Sequence, residues 1–298
     1  MTAVPSTRSN LKARKMKSIR IRDITIDENA PPILIAGPCV IEDETSALQL
    51  ADQIASLPIV QKYTFVFKAS YSKDNRSSSV SYRGPGLEQG LEILDKVKSK
   101  VGCPVLSDVH SSAEVGPAAE VLDVIQIPAF MSRQTSLLEA AARSGRAVNI
   151  KKGQFLSPQA AGLAVDKVRM AGGQDVLLTE RGTTFGYQDL VVDFRSFPRM
   201  RAFGCPIIFD VTHSLQKPSE LGDRSGGEPE LAATMARAAA AVPCDGLFVE
   251  THPEPSTARS DAASMLPFAE LSRLLEQSHQ LFVLARELCA SEHRILGR

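Results

Sequence analysis

The sequence predicts a single α/β domain built as a (β/α)8 TIM barrel, and three observations predict it. Eight short apolar, β-branched runs recur along the 298 residues, at Pro32–Val40, Thr64–Ala69, Pro104–Val109, Val124–Phe130, Ala147–Ile150, Asp175–Thr179, Pro206–Val211 and Gly246–Val249. Most are separated by segments with helical spacing, and strand starts lie about 20–40 residues apart, the length of a βαβ unit. The runs are apolar on both faces, which suits parallel strands covered by helices. An open doubly wound sheet is the alternative, but no GxGxxG follows the first run to make a dinucleotide site.

The first run is followed by the helical segment Thr45–Leu57 and the second by Leu87–Lys100. After the third run the helix is the weak point of the pattern, because Gly116 and Pro117 interrupt it. Gln134–Ser144 follows the fourth run and Pro158–Ala171 the fifth. Gly182–Gly204, between the sixth and seventh runs, reads as mostly irregular. Pro229–Ala241 and Leu266–Leu288 complete the alternation. No composition break marks a second domain, so the expected organisation is a basic tail over residues 1–22 and a catalytic barrel over 23–298.

Composition narrows the function. With 43% apolar residues and 34 basic side chains against 34 acidic ones, the chain lacks the basic balance of a nucleic-acid binder. Small ligands are the expected partners. A chain this long buries roughly 75% of the surface its unfolded form exposes, so a metal would be functional rather than structural. Cys39, Cys103, Cys205, Cys244 and Cys289 are dispersed, with no CxxC pair, as in a reduced, cytoplasmic protein. The longest charge-free apolar stretch, Ala30–Ile41, has twelve residues, short of the ~20 needed to cross a bilayer. Residues 1–22 hold Arg8, Lys12, Arg14, Lys15, Lys17, Arg20 and Arg22 with no acid before Asp23. They superficially resemble a transit peptide, but a disordered basic tail is the preferred reading.

In barrels of this kind the active site is assembled at the carboxyl ends of the strands. The polar residues closing the eight runs are Cys39, Lys68, Asp108, Gln126, Lys151, Arg181, His213 and Glu250. Singly, each has an ordinary explanation as a salt-bridged or buried side chain; together they make a ring of groups able to bind an anion, a metal or a proton. Lys68, Lys73, Arg76, Lys151 and Arg181 would share one mouth, while Lys152 points to the other side of its strand from Lys151. Such a cationic cluster costs desolvation and repulsion unless anions neutralise it, so phosphate or carboxylate ligands are expected. The loop Lys73-Asp74-Asn75-Arg76-Ser77-Ser78-Ser79 offers cations, hydroxyls and backbone N–H groups to a phosphate. A second set, Cys39, His213, Glu250, His252 and Asp261, consists of metal-ligand types suited to zinc, iron(II) or manganese. Glu250 and His252 share one side of a strand, which leaves open whether His252 or Asp261 completes the site.

The stretches Ile35-Ala36-Gly37-Pro38-Cys39-Val40-Ile41-Glu42, Phe67-Lys68-Ala69-Ser70 and Lys73-Asp74-Asn75-Arg76-Ser77-Ser78 carry a family likeness. So do Ser107-Asp108-Val109-His110, Asn149-Ile150-Lys151-Lys152-Gly153-Gln154-Phe155, Phe209-Asp210-Val211-Thr212-His213-Ser214 and Glu250-Thr251-His252-Pro253-Glu254-Pro255. Over roughly residues 30–285 the sequence resembles the 3-deoxy-D-manno-octulosonate 8-phosphate synthases. The resemblance implies a homotetrameric barrel that condenses phosphoenolpyruvate with arabinose 5-phosphate and releases inorganic phosphate. It implies that Lys68, Lys73, Lys151 and Arg181, with Gln126 and Gln154 beside them, hold phosphoenolpyruvate. Asn75, Arg76 and Ser77 would bind the pentose phosphate, helped by Arg224 and Ser225 of a closing loop. Cysteine rather than asparagine at position 39 resembles the members that need one divalent metal, with Cys39, His213, Glu250 and Asp261 as the implied ligands. Asp108 and His213 are candidates for moving a proton, beside Lys151. Asp74 departs from the alanine of many relatives. A related synthase using erythrose 4-phosphate and a non-catalytic phosphosugar-binding barrel are the competing readings.

Overall fold

The computed structural model describes residues 16–74, 82–187, 189–218, 226–242 and 244–295. Eight parallel strands run β1 (Ile33–Gly37), β2 (Thr64–Lys68), β3 (Val105–Asp108), β4 (Val124–Ile127), β5 (Ala147–Lys151), β6 (Val176–Glu180), β7 (Ile207–Asp210) and β8 (Gly246–His252). Each pairs with the next in sequence, and β8 pairs with both β7 and β1. The sheet is therefore closed, and the open alternative is excluded. Around it lie α1 (Glu44–Ala55), α2 (Leu87–Val101), α3 (Ser112–Val121), α4 (Thr135–Arg143), α5 (Pro158–Met170), α6 (Ser196–Arg201), α7 (Ala232–Ala241) and α8 (Phe268–Ile295).

Local chemistry explains the starts and stops. Asp43 caps α1 by accepting from Ser46 N–H at 2.8 Å, and Ser157 caps α5 at Ala160 N–H, with Pro158 in the first turn. α3 forms despite Pro117. The proline forgoes one backbone hydrogen bond, yet the helix continues to Val121 and closes with Leu122 N–H on Ala118 O at 2.8 Å. The segment expected to be irregular, Gly182–Gly204, contains an antiparallel hairpin of Thr183–Phe185 with Asp189–Val191, followed by α6. Its strands are only three residues long and Thr183–Phe185 is wholly exposed, so no buried face marks it in the sequence.

The carboxyl end of the stretch read as a basic tail, residues 1–22, has a pairing partner in the fold. Ile19–Ile21 pairs with Ile24–Ile26 as a hairpin. Alternation turns Ile19, Ile21 and Ile26 into the amino-terminal end of the barrel, where they join Ile33, Ile35, Val66, Leu106, Val124, Ala147, Leu177, Ile208 and Phe248.

That apolar layer positions the site. Because successive side chains alternate across a strand, the residue two positions further along each strand also faces inward. Those residues are Lys68, Asp108, Gln126, Asn149, Thr179, Asp210 and Glu250, with Gly37 on β1. The barrel interior thus changes from hydrocarbon to polar within one layer. At Gly37 a Cβ would lie 2.0 Å from the carbonyl oxygen of Lys68, so only glycine lets β1 approach β2 closely enough to present Cys39 above that layer.

Candidate functional site

β2 and β8 bring the first pair together. Lys68 Nζ lies 2.5 Å from Glu250 Oε1 and donates to Cys39 O at 2.7 Å. Both side chains of this pair are 1% exposed. Burial alone would raise the Glu250 carboxyl, but Lys68 foremost, then His213, Lys73 and Lys151, hold it well below the usual carboxylate range. Its other oxygen, Oε2, is buried without a hydrogen-bond partner, and His213 Nε2 faces it at 3.7 Å.

His213 begins a short 3-10 turn after β7, and Asp210 organises it. The Asp210 carboxylate accepts from His213 N–H at 2.9 Å, lies 2.9 Å from His213 Nδ1 and pairs with Lys151 Nζ. Burial opposes that charge, while His213 and Lys151 hold the Asp210 carboxyl far below its ordinary value. Lys151 Nζ also sits 3.4 Å above the Phe248 ring, a cation–π contact from the apolar layer beneath. Asp210 stands in a stretch that carries the family likeness but has no role in the sequence reading. Its signal was available: it is the inward position two residues after Ile208.

On the other side of Glu250, Cys39 Sγ lies 2.8 Å from Ser260 Oγ and 3.0 Å from Asp261 Oδ2. One ligand atom each from Cys39, Glu250 and Asp261 falls within a mutual 4.8 Å. His213 is outside that set and joins it through Glu250. His252 is turned away: its Nδ1 accepts from Glu254 N–H at 3.1 Å and its Nε2 faces Glu42. Asp261 therefore completes the cluster, on a backbone with φ of 49°, a left-handed conformation that aspartate tolerates better than most residues. Burial, then the charges of Asp261 and Glu250, push the Cys39 thiol far up. A buried thiol beside two carboxylates, with an orphaned carboxylate oxygen and an imidazole across from it, is the donor set a borderline divalent cation neutralises. The residues fit a metal.

The anion-binding candidates converge on the same mouth. Lys73 is 7% exposed, with Nζ 3.6 Å from Asp108 Oδ2. Asp108 also accepts from Ser70 Oγ at 3.1 Å and from Gln126 Nε2. Burial would raise its carboxyl, yet Lys73 and Lys68 hold it well below the usual range. Arg181 is buried; Nη2 donates to Gln216 Oε1 at 2.9 Å, and Nη1 has no hydrogen-bond partner. Gln154 Oε1 is likewise buried and unpartnered. Lys152 points outward as expected, bonding Gly182 O, Thr183 Oγ1 and Glu180. Asp74 is exposed. Asn75, Arg76, Ser77, Arg224 and Ser225 lie outside the described residues.

Comparison with known proteins adds an independent line. A model of the DAHP synthetase I family matches residues 8–287. A protein of Syntrophotalea carbinolica named 2-dehydro-3-deoxyphosphooctonate aldolase is 51% identical over 260 residues, 87% of this chain and 94% of that one. Proteins of the same name from Trichlorobacter lovleyi and Desulfatibacillum aliphaticivorans are 48% identical over 270 residues and 51% identical over 255. These alignments cover 91% and 86% of this chain, and 99% and 93% of the relatives.

Proposed function

The chain belongs to the DAHP synthetase I family, and from that premise we propose that it joins phosphoenolpyruvate to arabinose 5-phosphate, with water, to give 3-deoxy-D-manno-octulosonate 8-phosphate and inorganic phosphate. It is an enzyme, and its curated relatives are named for this octulosonate chemistry. The observation that carries the reading is the burial of Lys68, Lys73, Lys151 and Arg181 at one barrel mouth, with Arg181 Nη1 left without an acceptor. A buried guanidinium nitrogen with no partner is costly unless an anion completes it.

In this reading Lys68, Lys73, Lys151 and Arg181 hold the carboxylate and phosphate of phosphoenolpyruvate, with Gln126 and Gln154 beside them. Asn75, Arg76, Ser77, Arg224 and Ser225 hold the pentose phosphate. Cys39, His213, Glu250 and Asp261 hold one divalent metal, zinc, iron(II) or manganese. When bound, the metal supplies Lewis acidity toward the aldehyde or toward water. The enol carbon attacks the aldehyde carbon, whose oxygen takes up a proton to become a hydroxyl. Charge develops at the carbon bearing the phosphate, and water adds there with loss of a proton. The carbon–oxygen bond to phosphate then breaks, leaving the keto group and inorganic phosphate. The cations orient two polyanions face to face, and such alignment is worth effective molarities of about 10^5 M or more. Asp108 accepts a proton on a carboxylate oxygen as water adds, while Asp210 fixes the His213 ring through Nδ1. The protein acts in the cytoplasm as a homotetramer. No helix of the described residues is long and apolar enough to cross a membrane.

The test is phosphate release from phosphoenolpyruvate with each sugar phosphate. Release with arabinose 5-phosphate, lost on strong chelation and regained with a divalent metal, is expected. Release with erythrose 4-phosphate alone would reassign the substrate, and full activity in metal-free protein would defeat the metal assignment.

A further inference from the structure

The polar layer of the barrel contains a hydrogen-bonded row that the reaction has not yet accounted for. Asp108, Gln126 and Asn149 are register partners on β3, β4 and β5, and Thr179 follows on β6. Gln126 Nε2 donates to Asp108 Oδ1. Asn149 Nδ2 donates to Gln126 Oε1 at 2.8 Å, and Thr179 Oγ1 donates to Asn149 Oδ1 at 2.6 Å. Asn149 and Thr179 are fully buried and Gln126 is 3% exposed. Neither Asn149 nor Thr179 has a place among the anion-binding or metal-binding residues.

The donor directions in this row are not independent. An ionised carboxylate only accepts, so Gln126 must turn its NH2 toward Asp108. Its carbonyl then faces Asn149, which must answer with its own NH2. That leaves the Asn149 carbonyl facing Thr179, whose hydroxyl must donate. The ionised Asp108 thus sets the orientation of both amides, and the Thr179 hydroxyl supplies the donor that satisfies the last carbonyl of the row. Reversing Gln126 would set carbonyl against carboxylate, and reversing Asn149 would set carbonyl against carbonyl, in a dry interior where an unsatisfied polar atom is expensive.

We propose that Thr179 and Asn149 are positioning residues for catalysis: through Gln126 they hold Asp108 as an aimed, acceptor-only carboxylate. The proposal rests on the reading of Asp108 as the group that receives the proton. Ser70 and Lys73 occupy the other oxygen, Oδ2, so the row fixes Oδ1 and with it the plane of the carboxylate. A proton acceptor held in one orientation contributes to the chemical step rather than to substrate affinity.

Thr179→Val keeps the branched shape and removes the donor, and Thr179→Ser keeps the donor. For Thr179→Val, kcat is expected to fall about 10-fold or more, as when a partner behind a reacting group is removed, with KM for both substrates within about twofold. Thr179→Ser is expected to restore kcat. Parental kcat in Thr179→Val, a loss confined to KM, or an equal loss in Thr179→Ser would each overturn the proposal. If Thr179→Val does not fold, Asn149→Asp carries the same test. It leaves Gln126 without a donor on its oxygen and is expected to lower kcat at unchanged KM, and parental turnover overturns the proposal. Asp108→Asn separates the two ideas. Full turnover there would refute the role of Asp108 itself and the row's purpose with it. Impaired Asp108→Asn beside parental Thr179→Val would refute the row alone.

Discussion

The pair formed by Lys68 and Glu250 ties β2 to β8 across the interior and sits between both halves of the site, so Lys68→Met tests the arrangement most directly. Methionine occupies similar space but leaves Glu250 charged and 1% exposed, with Oε2 already lacking a partner. Breaking a buried pair on one side costs about 3–5 kcal/mol. For a chain of 298 residues, that corresponds to a melting temperature about 5–8 °C lower. The assay is thermal unfolding by circular dichroism on chelated protein, with Lys68→Met/Glu250→Leu alongside. Removing both charges should recover most of the loss, because the expense lies in the stranded carboxylate and not in the missing attraction. The pH response has a definite sign. In the parent, Glu250 titrates below its unfolded value, so its stabilisation is present above about pH 4.3 and lost as pH falls through the lower folded value. Without Lys68 its largest downward influence disappears, protonation becomes easier, and the deficit of Lys68→Met should be smaller at pH 5 than at pH 8. A melting temperature within about 2 °C of the parent, or a double variant that loses the sum of both singles, would refute this reasoning.

Three other substitutions probe separate parts of the molecule. Gly90→Ala would place a Cβ 2.3 Å from Tyr71 Cβ and 3.0 Å from its Cα; overpacking against that backbone should cost about 1–3 kcal/mol in a melting experiment. It should also raise KM for phosphoenolpyruvate, because Lys73 lies two residues beyond Tyr71. Asp210→Asn removes the charge shared by Lys151 and His213, and is expected to lower kcat by roughly 10–100-fold and to lower metal content after dialysis, measured by atomic absorption. Asp123→Ala strips Val105 N–H and Lys98 of an acceptor, at 3.0 and 2.8 Å, near the amino ends of the strands. It should lose about 1–3 kcal/mol in urea titration while steady-state kinetics stay at parental values.

The barrel strands were legible because they are buried on both faces, and a buried parallel strand is read by composition rather than by alternation. Their ends were legible for the same reason: Lys68, Asp108 and Glu250 are conspicuous where hydrocarbon stops. The hairpin at Ile19–Ile26 had a period-2 pattern, but Arg20 and Arg22 made the segment look like the rest of a basic tail. What the pattern did not contain was direction. Glu250 and His252 lie on the same side of β8, so spacing alone treated both as ligands. In the structure Glu254 N–H draws His252 aside, while the loop after β8 returns Asp261 to Cys39. Asp210 and Asn149 precede the polar residues that close their runs, His213 and Lys151, and their inward position follows from counting in twos from the apolar layer.

That counting also explains how so many charges remain folded together. Lys68, Lys73 and Lys151 each face a carboxylate from another strand: Glu250, Asp108 and Asp210 respectively. The buried cations are therefore balanced before any ligand arrives, which keeps the desolvation cost of each lysine tolerable. Arg181 differs, since its described partner is the neutral Gln216 and one guanidinium nitrogen is unspent. An incoming phosphate or carboxylate meets one donor that is free and three that must be shared with acids already in place. Affinity for an anion then depends on how much of each lysine the neighbouring acid releases. Neutralising an acid, as in Asp210→Asn, should strengthen anion binding even as it weakens turnover. Ground-state binding and catalysis are thus set by the same carboxylates with opposite sign, and a series of such variants should show KM for phosphoenolpyruvate falling where kcat falls.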